Sequence, residues 1–141
     1  MTAADIPATM ETDKAAFDKA WSEKFFSDEL RKDYAYYFVA ESGEGVIGYV
    51  GIWCIYETAE LIRIAVMPDC QRCGVADSLM KEILCCAKGC ACERMMLEVK
   101  DSNIAARELY KKHSFNEISV RRGYYDGEDA IIMEAEIKQD E

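Results

Sequence analysis

The sequence predicts an α/β domain with a central mixed, twisted sheet flanked by helices. Three observations carry this prediction. Residues 36–41 and 46–56 are apolar stretches joined by Ser42-Gly43-Glu44-Gly45, the pattern of a β-hairpin. Residues 60–66, 74–88 and 94–100 read as a strand, a helix and a strand. Residues 115–125 and 130–137 read as a closing pair of strands, joined through Asp126-Gly127-Glu128-Asp129. Hairpins on either side of a strand–helix–strand unit give a sheet that is neither purely parallel nor purely antiparallel.

Each element has a local reason. Residues 9–32 read as helical in two pieces, with Phe17, Trp21, Phe25, Phe26 and Leu30 at roughly helical spacing. Gly48 and Gly51 interrupt the second strand. Pro68 stops the third, because it offers no amide to a neighbouring strand. In the 74–88 helix, Val75, Leu79, Ile83 and Ala87 form one apolar stripe, and Gly89 fits the C-terminal cap. Asn103 fits the N-cap of a short helix ending near Lys112.

The length of 141 residues points to one domain spanning 1–141, and a 50% apolar content is enough for a real core. No window of about 18 apolar residues is present, and the first residues lack a basic, then apolar, secretory leader. The formal net charge of -10 argues against nucleic acid as the main ligand, since duplex binding needs Lys and Arg on phosphates. It suits a basic or amine-bearing substrate and equally an ordinary soluble surface. The seven cysteines are an odd number, which speaks against a full disulfide framework and for a reducing, cytoplasmic setting. Cys70-x-x-Cys73 with Cys90 and Cys92 has enough thiols for zinc, but Cys90-x-Cys92 is not a usual ligand spacing, so no metal is expected. His113 is expected at a helix C-terminus, where its charge suits the dipole.

The most informative segment runs from Ile64 to Ala76, where a strand enters a tight turn that opens a long helix. The first amides of a helix have no internal partner and sit at the positive end of its dipole, so they can bind phosphate. Gly74 and the small Ala76 let a ligand come close, and Arg72 can add charge. The segment is not a P-loop, since no Gly-Lys-Ser/Thr follows, nor a dinucleotide fingerprint, since it has one Gly. An ordinary strand–turn–helix connection fits the same residues.

Gln71-x-x-Gly74-x-Ala76 after Ile64-Ala65-Val66 is similar to the acyl-CoA pyrophosphate loop of the GCN5-related N-acetyltransferases (the GNAT fold). Leu97-Glu98-Val99, Ser102-Asn103-x-Ala105-Ala106, Leu109-Tyr110 and Phe115 resemble that family's second half. Trp21-Ser22-Glu23-Lys24-Phe25-Phe26, Arg121-Arg122-Gly123-Tyr124-Tyr125 and Glu128-Asp129-Ala130-Ile131-Ile132-Met133 resemble its RimI-type branch, which acetylates the N-terminal alanine of a ribosomal protein. The resemblance implies acetyl-CoA held by Ile64, Ala65, Val66, Gln71, Arg72, Cys73, Gly74, Val75, Ala76, Asp77 and Asn103, with no metal. It also implies that strands 60–66 and 94–100 splay to admit the pantetheine arm. Backbone groups of Ile64 and Val66 would then hold the acyl end and supply an oxyanion donor.

Acetyl transfer to an amine needs a neutral amine, a donor to the carbonyl oxygen and a proton for the departing thiolate. Glu98 is the candidate base, on the strand face opposite Met95, Leu97 and Val99. A solvated strand carboxylate gives the same pattern. Tyr110 is the candidate acid, since a phenol with a reference pKa of about 10 is a good donor at neutral pH. An amphipathic residue on a short helix gives that pattern too. An α-amine, with a reference pKa of about 7.7–8.0 against about 10.4 for lysine, is easier to deprotonate by about 2.5 units, or about 3.5 kcal/mol.

Three departures from the family pattern stand out. Ser114 replaces the Gly expected before Phe115, a position that often takes positive φ. Arg63 stands where the branch usually has a small polar residue. The first strand of the family is missing or short, which would expose a sheet edge. The expected function is acetyl transfer from acetyl-CoA to a protein N-terminal α-amine, with the N-terminal alanine of a small-subunit ribosomal protein as the first acceptor. Transfer to a small amine, a polyamine or a lysine is the alternative, and a non-catalytic acyl-CoA-binding module is a second. No membrane partner is expected, and the oligomeric state is open between a monomer and a weak dimer.

Overall fold

The structure is a computed structural model that describes residues 1–43, 45–71, 73–125 and 127–138, without the side chains of Tyr124 and Tyr125. A single 3-10 turn, Ala3–Asp5, leads into α1, Ile6–Ala16, followed by α2, Glu23–Leu30. Strands β1, Ala35–Ser42, β2, Gly45–Ile55, and β3, Thr58–Val66, form a meander. A short 3-10 turn, Pro68–Cys70, precedes α3, Val75–Gly89. Then come β4, Arg94–Lys100, α4, Ile104–Lys112, β5, Asn116–Tyr125, and β6, Glu128–Glu136. The sheet order is β1-β2-β3-β4-β6-β5, and β3–β4 is its parallel pair. The mixed sheet is as expected, and β1 is an edge strand that no described strand precedes.

One face of the sheet carries α3 and α4. Leu79, Met80, Ile83 and Ala87 of α3 are buried against Val50, Ile52, Leu61, Met95, Leu97 and Val99. Each large apolar side chain buried in this way contributes about 1.5–3 kcal/mol. The opposite face carries α1 and α2 over a smaller cluster of Ile6, Phe26, Tyr37, Tyr49 and Ala65. The two helical pieces expected over 9–32 are α1, which begins earlier at Ile6, and α2, separated at 17–22; Ser22 starts α2 by accepting from the Phe25 amide at 3.1 Å.

Gly48 and Gly51 do not interrupt β2, which is continuous. They make room instead. A Cβ at Gly51 would overlap the Tyr37 ring, and one at Gly48 would lie 3.0 Å from the Ala65 oxygen and 3.2 Å from Val75 Cγ1. The two glycines thus let β1 and α3 close onto β2.

Gly89 is the last residue of α3, not its cap as expected. Ala91 takes the left-handed conformation, with φ 61°, while its amide donates to the Lys88 oxygen and that of Cys92 to the Ala87 oxygen. These are the two bonds of a Schellman ending. The same ending closes α4. Ser114 has φ 70°, its amide donates to the Lys111 oxygen, and that of Phe115 to the Tyr110 oxygen. The left-handed φ expected at this position is therefore present, on a residue that pays for it with strain. Because that conformation costs a non-glycine residue about 1–2 kcal/mol, Ser114→Gly is expected to stabilise the protein by about 1 kcal/mol. Thermal or urea unfolding checks this, and an unchanged or lowered midpoint would contradict it.

Candidate active site

The site begins where two strands part. β3 and β4 pair only through Thr58–Arg94, Ala59–Met95 and Glu60–Met96, yet β3 continues to Val66 and β4 to Lys100. On their outer sides both strands remain fully paired, β3 with β2 and β4 with β6. The Met67 amide donates to the Ile47 oxygen, so strand alternation turns the backbone of Ala65 toward β2 and that of Ile64 and Val66 into the gap. A gap edged by free strand amides and carbonyls can take an extended ligand as an added strand. Ala65 stands apart from its neighbours here. It pairs with Tyr49 and its side chain is buried on the α1 face.

Just beyond β3 the chain makes its turn. Gly74 is the N-cap of α3 with φ 81°, and no side chain caps the helix there. The amides of Val75, Ala76 and Asp77 precede the first intrahelical bond, which runs from Ser78 N to the Gly74 oxygen. They sit where an anionic group is favoured. Gln71 and Cys73 are exposed on the approach to this turn. Arg72 lies outside the described residues. The reason for glycine at position 74 differs from the expected one. An added Cβ meets nothing within 4 Å, and the left-handed φ is what excludes other residues. Gly74→Val is expected to reset the turn and weaken acetyl-CoA binding at least tenfold by calorimetry, and unchanged binding would refute the assignment of the turn.

Asp77 does something the sequence did not suggest. Its carboxylate accepts from Lys112 Nζ at 3.0 Å and faces His113 Nε2 at 2.9 Å. Hydrogen bonds from Lys112 and His113 hold its pKa below the usual aspartate value. This clip docks the end of α4 on the first turn of α3, with His113 as the C-cap of α4. Tyr110, three residues earlier on α4, is thereby carried to the α3 side of the sheet, 6% exposed, with its ring 5.9 Å from that of Phe115. Asn103 caps α4 as expected, accepting from the Ala106 amide at 3.2 Å.

Glu98 projects from the opposite face of β4, since Met95, Leu97 and Val99 are buried under α3 and α4. Its carboxylate is 27% exposed and pairs with Arg121 Nη1 of β5 at 3.0 Å. A second carboxylate, missed in the sequence, belongs to Glu60, the last β3 residue paired with β4. Burial, then the charge of Glu98, raise its pKa, while Arg121 opposes them. A register shift between Gly51 and Ile52 of β2 offsets β3 locally, so simple alternation along β3 does not reveal this placement.

Arg63, a departure in the sequence, is withdrawn from the cleft. Its guanidinium bonds Asp13 and lies over the rings of Phe17 and Trp21, 4.0 and 4.4 Å from their centroids. The cysteines fall into two places. Cys70 and Cys73 flank the turn before α3, whereas Cys90 and Cys92 lie beyond its far end, about 22 Å of helix away at 1.5 Å per residue. Cys86 is near that second group, and burial followed by the proximity of Cys90 pushes its thiol up to about 12. No group of three His, Cys, Asp or Glu among the described residues could hold a metal ion.

A carboxylate on one face, a buried phenol on the other, a strand gap between them and a helix N-terminus at its end are the groups that acyl transfer from a phosphate-bearing thioester can use. The family model for acetyltransferases (GNAT) matches residues 6–115. The chain belongs to the GNAT family. Among GNAT relatives, the Escherichia coli K12 protein named [ribosomal protein bS18]-alanine N-acetyltransferase is 35% identical over 133 residues, covering 92% of this chain and 89% of that one. The Mycobacterium tuberculosis N-alpha-acetyltransferase RimI is 33% identical over 141 residues, covering 94% and 87%. The crystal structure of the Escherichia coli ribosomal-protein-S18-alanine N-acetyltransferase superposes with a TM-score of 0.90 at 32% identity, over 100% of this chain and 93% of that one. The chain is thus a RimI-like GNAT enzyme, an acetyl-CoA-dependent N-acetyltransferase. No described helix is long and apolar enough to cross a membrane.

Proposed function

We propose that this enzyme moves an acetyl group from acetyl-CoA to the N-terminal α-amine of a protein, with the alanine of ribosomal protein bS18 as the first acceptor. The observation that carries the reading is the β3–β4 gap, with Glu98 on its open face and Tyr110 on its covered one. In this reading the amides of Val75, Ala76 and Asp77 hold the pyrophosphate, with Gln71, Arg72, Cys73 and Gly74 shaping the turn. Ile64 and Val66 bind the pantetheine arm through their backbone, and one of their amides donates to the thioester oxygen as charge develops there. Ala65 serves from behind, fixing the strand to β2.

Glu98 takes the proton of the incoming ammonium through water, and the freed amine attacks the carbonyl carbon. As the C–S bond breaks, Tyr110 gives its proton to the sulfur. Asn103 supports this arrangement by holding the start of α4. The α-amine suits a single carboxylate base, because its pKa lies about 2.5 units below that of lysine. The name of the Escherichia coli relative supports the bS18 alanine, and that of the Mycobacterium tuberculosis relative supports an α-amine acceptor.

A panel tests the reading. It contains a peptide with the bS18 N-terminus, the same peptide with a blocked α-amine and an internal lysine, and free polyamines. Acetylation of the first alone is expected. Turnover of only the lysine peptide or the polyamines would replace the acceptor assignment.

A further inference from the structure

Asp13 of α1 is fully buried, and its two carboxylate oxygens gather three groups through four hydrogen bonds. Oδ1 accepts from the Tyr49 hydroxyl at 2.6 Å and from Arg63 Nη1 at 3.0 Å. Oδ2 accepts from the Trp21 amide at 2.6 Å and from the same Nη1 at 3.1 Å. Arg63 also reaches the Lys19 oxygen at 3.4 Å, and its guanidinium lies over the Phe17 ring and the Trp21 ring. Trp21 in turn meets Phe25, Phe26, Tyr37 and Tyr49. One arginine thus fastens the 17–22 segment, which has no helix of its own, onto β3.

The location matters as much as the strength. Arg63 lies three residues past Glu60, where pairing with β4 ends, so the segment it holds borders the opened part of the gap. It does so on the face that carries Glu98, because α3 and α4 fill the other. Arg121 of β5 reaches the same face, where it pairs with Glu98 at 3.0 Å.

We propose that Arg63 is a positioning residue for the acceptor, its clamp on Asp13, Phe17 and Trp21 holding the 17–22 segment as one wall of the acceptor cleft. The proposal rests on the acceptor reading given above. The clamp spends the arginine charge on Asp13, so Arg63 adds no second cation beside Arg121 to the face that carries Glu60 and Glu98. It also fixes the aromatic wall before the acceptor arrives, which lowers the ordering cost of binding.

Two mild variants test this, because loss of the whole side chain would leave a buried charge unpaired and threaten folding. Arg63→Lys keeps the charge but loses the planar fork and the stacking, and Phe17→Leu removes one ring and leaves the ion pair intact. Steady-state kinetics with the alanine-ended peptide are expected to show a KM for peptide about tenfold higher, with kcat within twofold and acetyl-CoA binding unchanged by calorimetry. An unchanged peptide KM in both variants would overturn the proposal. So would a parallel loss of kcat and acetyl-CoA affinity, which marks a general structural role. If the unsubstituted enzyme leaves the peptide untouched while turning over a free amine, the acceptor reading falls and this inference falls with it. Normal turnover of the peptide with insensitive variants removes this inference alone.

Discussion

Glu98→Gln is expected to lower kcat at neutral pH by about 10²–10⁴-fold while leaving acetyl-CoA affinity within a factor of about two. The substitution preserves shape, and the amide oxygen can still accept from Arg121, so the β4–β5 contact survives. What disappears is the proposed proton acceptor. The pH dependence gives the sign. An α-amine with a pKa of about 7.7–8.0 is mostly ammonium at pH 7 and mostly free amine at pH 9. The variant should therefore recover part of its lost rate as pH rises through that range. An unchanged kcat at pH 7 would exclude Glu98 as the base and turn attention to Glu60, the neighbouring carboxylate on the same face.

Tyr110→Phe is expected to lower kcat by about 10²-fold or more, with acetyl-CoA affinity nearly unchanged. The ring is 6% exposed and packs on Phe115, and phenylalanine keeps that volume, so the clip between α3 and α4 through Asp77 should hold. Only the hydroxyl is lost, and with it the proton proposed for the departing sulfur. A thiol leaving group less basic than CoA should narrow the gap between variant and parent, since it needs less help to depart. Equal kcat values for the two proteins would rule out the acid role. Equal losses in kcat and acetyl-CoA affinity would recast Tyr110 as a binding residue.

Much of this site was legible in the sequence because its parts are local. Gly74 marks the turn into α3, though its left-handed φ was not read from the sequence, Asn103 caps α4, and the alternation of Met95, Leu97 and Val99 fixes which way Glu98 points. Ser114 was legible as a strained helix ending, since its place before Phe115 calls for a left-handed residue whatever its side chain. Ala91 was not. The glycine two positions earlier drew the cap to itself, and nothing local shows that α3 runs through it. Long-range features were hidden for a different reason. The bond between Asp13 and Arg63 spans 50 residues, and the one between Asp77 and His113 spans 36. Their only trace is a polar group in an apolar setting, such as Arg63 between Ile62 and Ile64. The parting of β3 from β4 has no residue signal at all. It came from family resemblance and was then seen as a ladder that stops at Glu60 and Met96.

The most direct measurement is a crystal structure with CoA bound. The account predicts the pyrophosphate on the amides of Val75–Asp77, the pantetheine arm hydrogen-bonded to the backbone of Ile64 and Val66, and the sulfur within hydrogen-bond reach of the Tyr110 hydroxyl. A CoA molecule whose pantetheine arm lies outside the β3–β4 gap, or whose sulfur sits away from Tyr110, would contradict it.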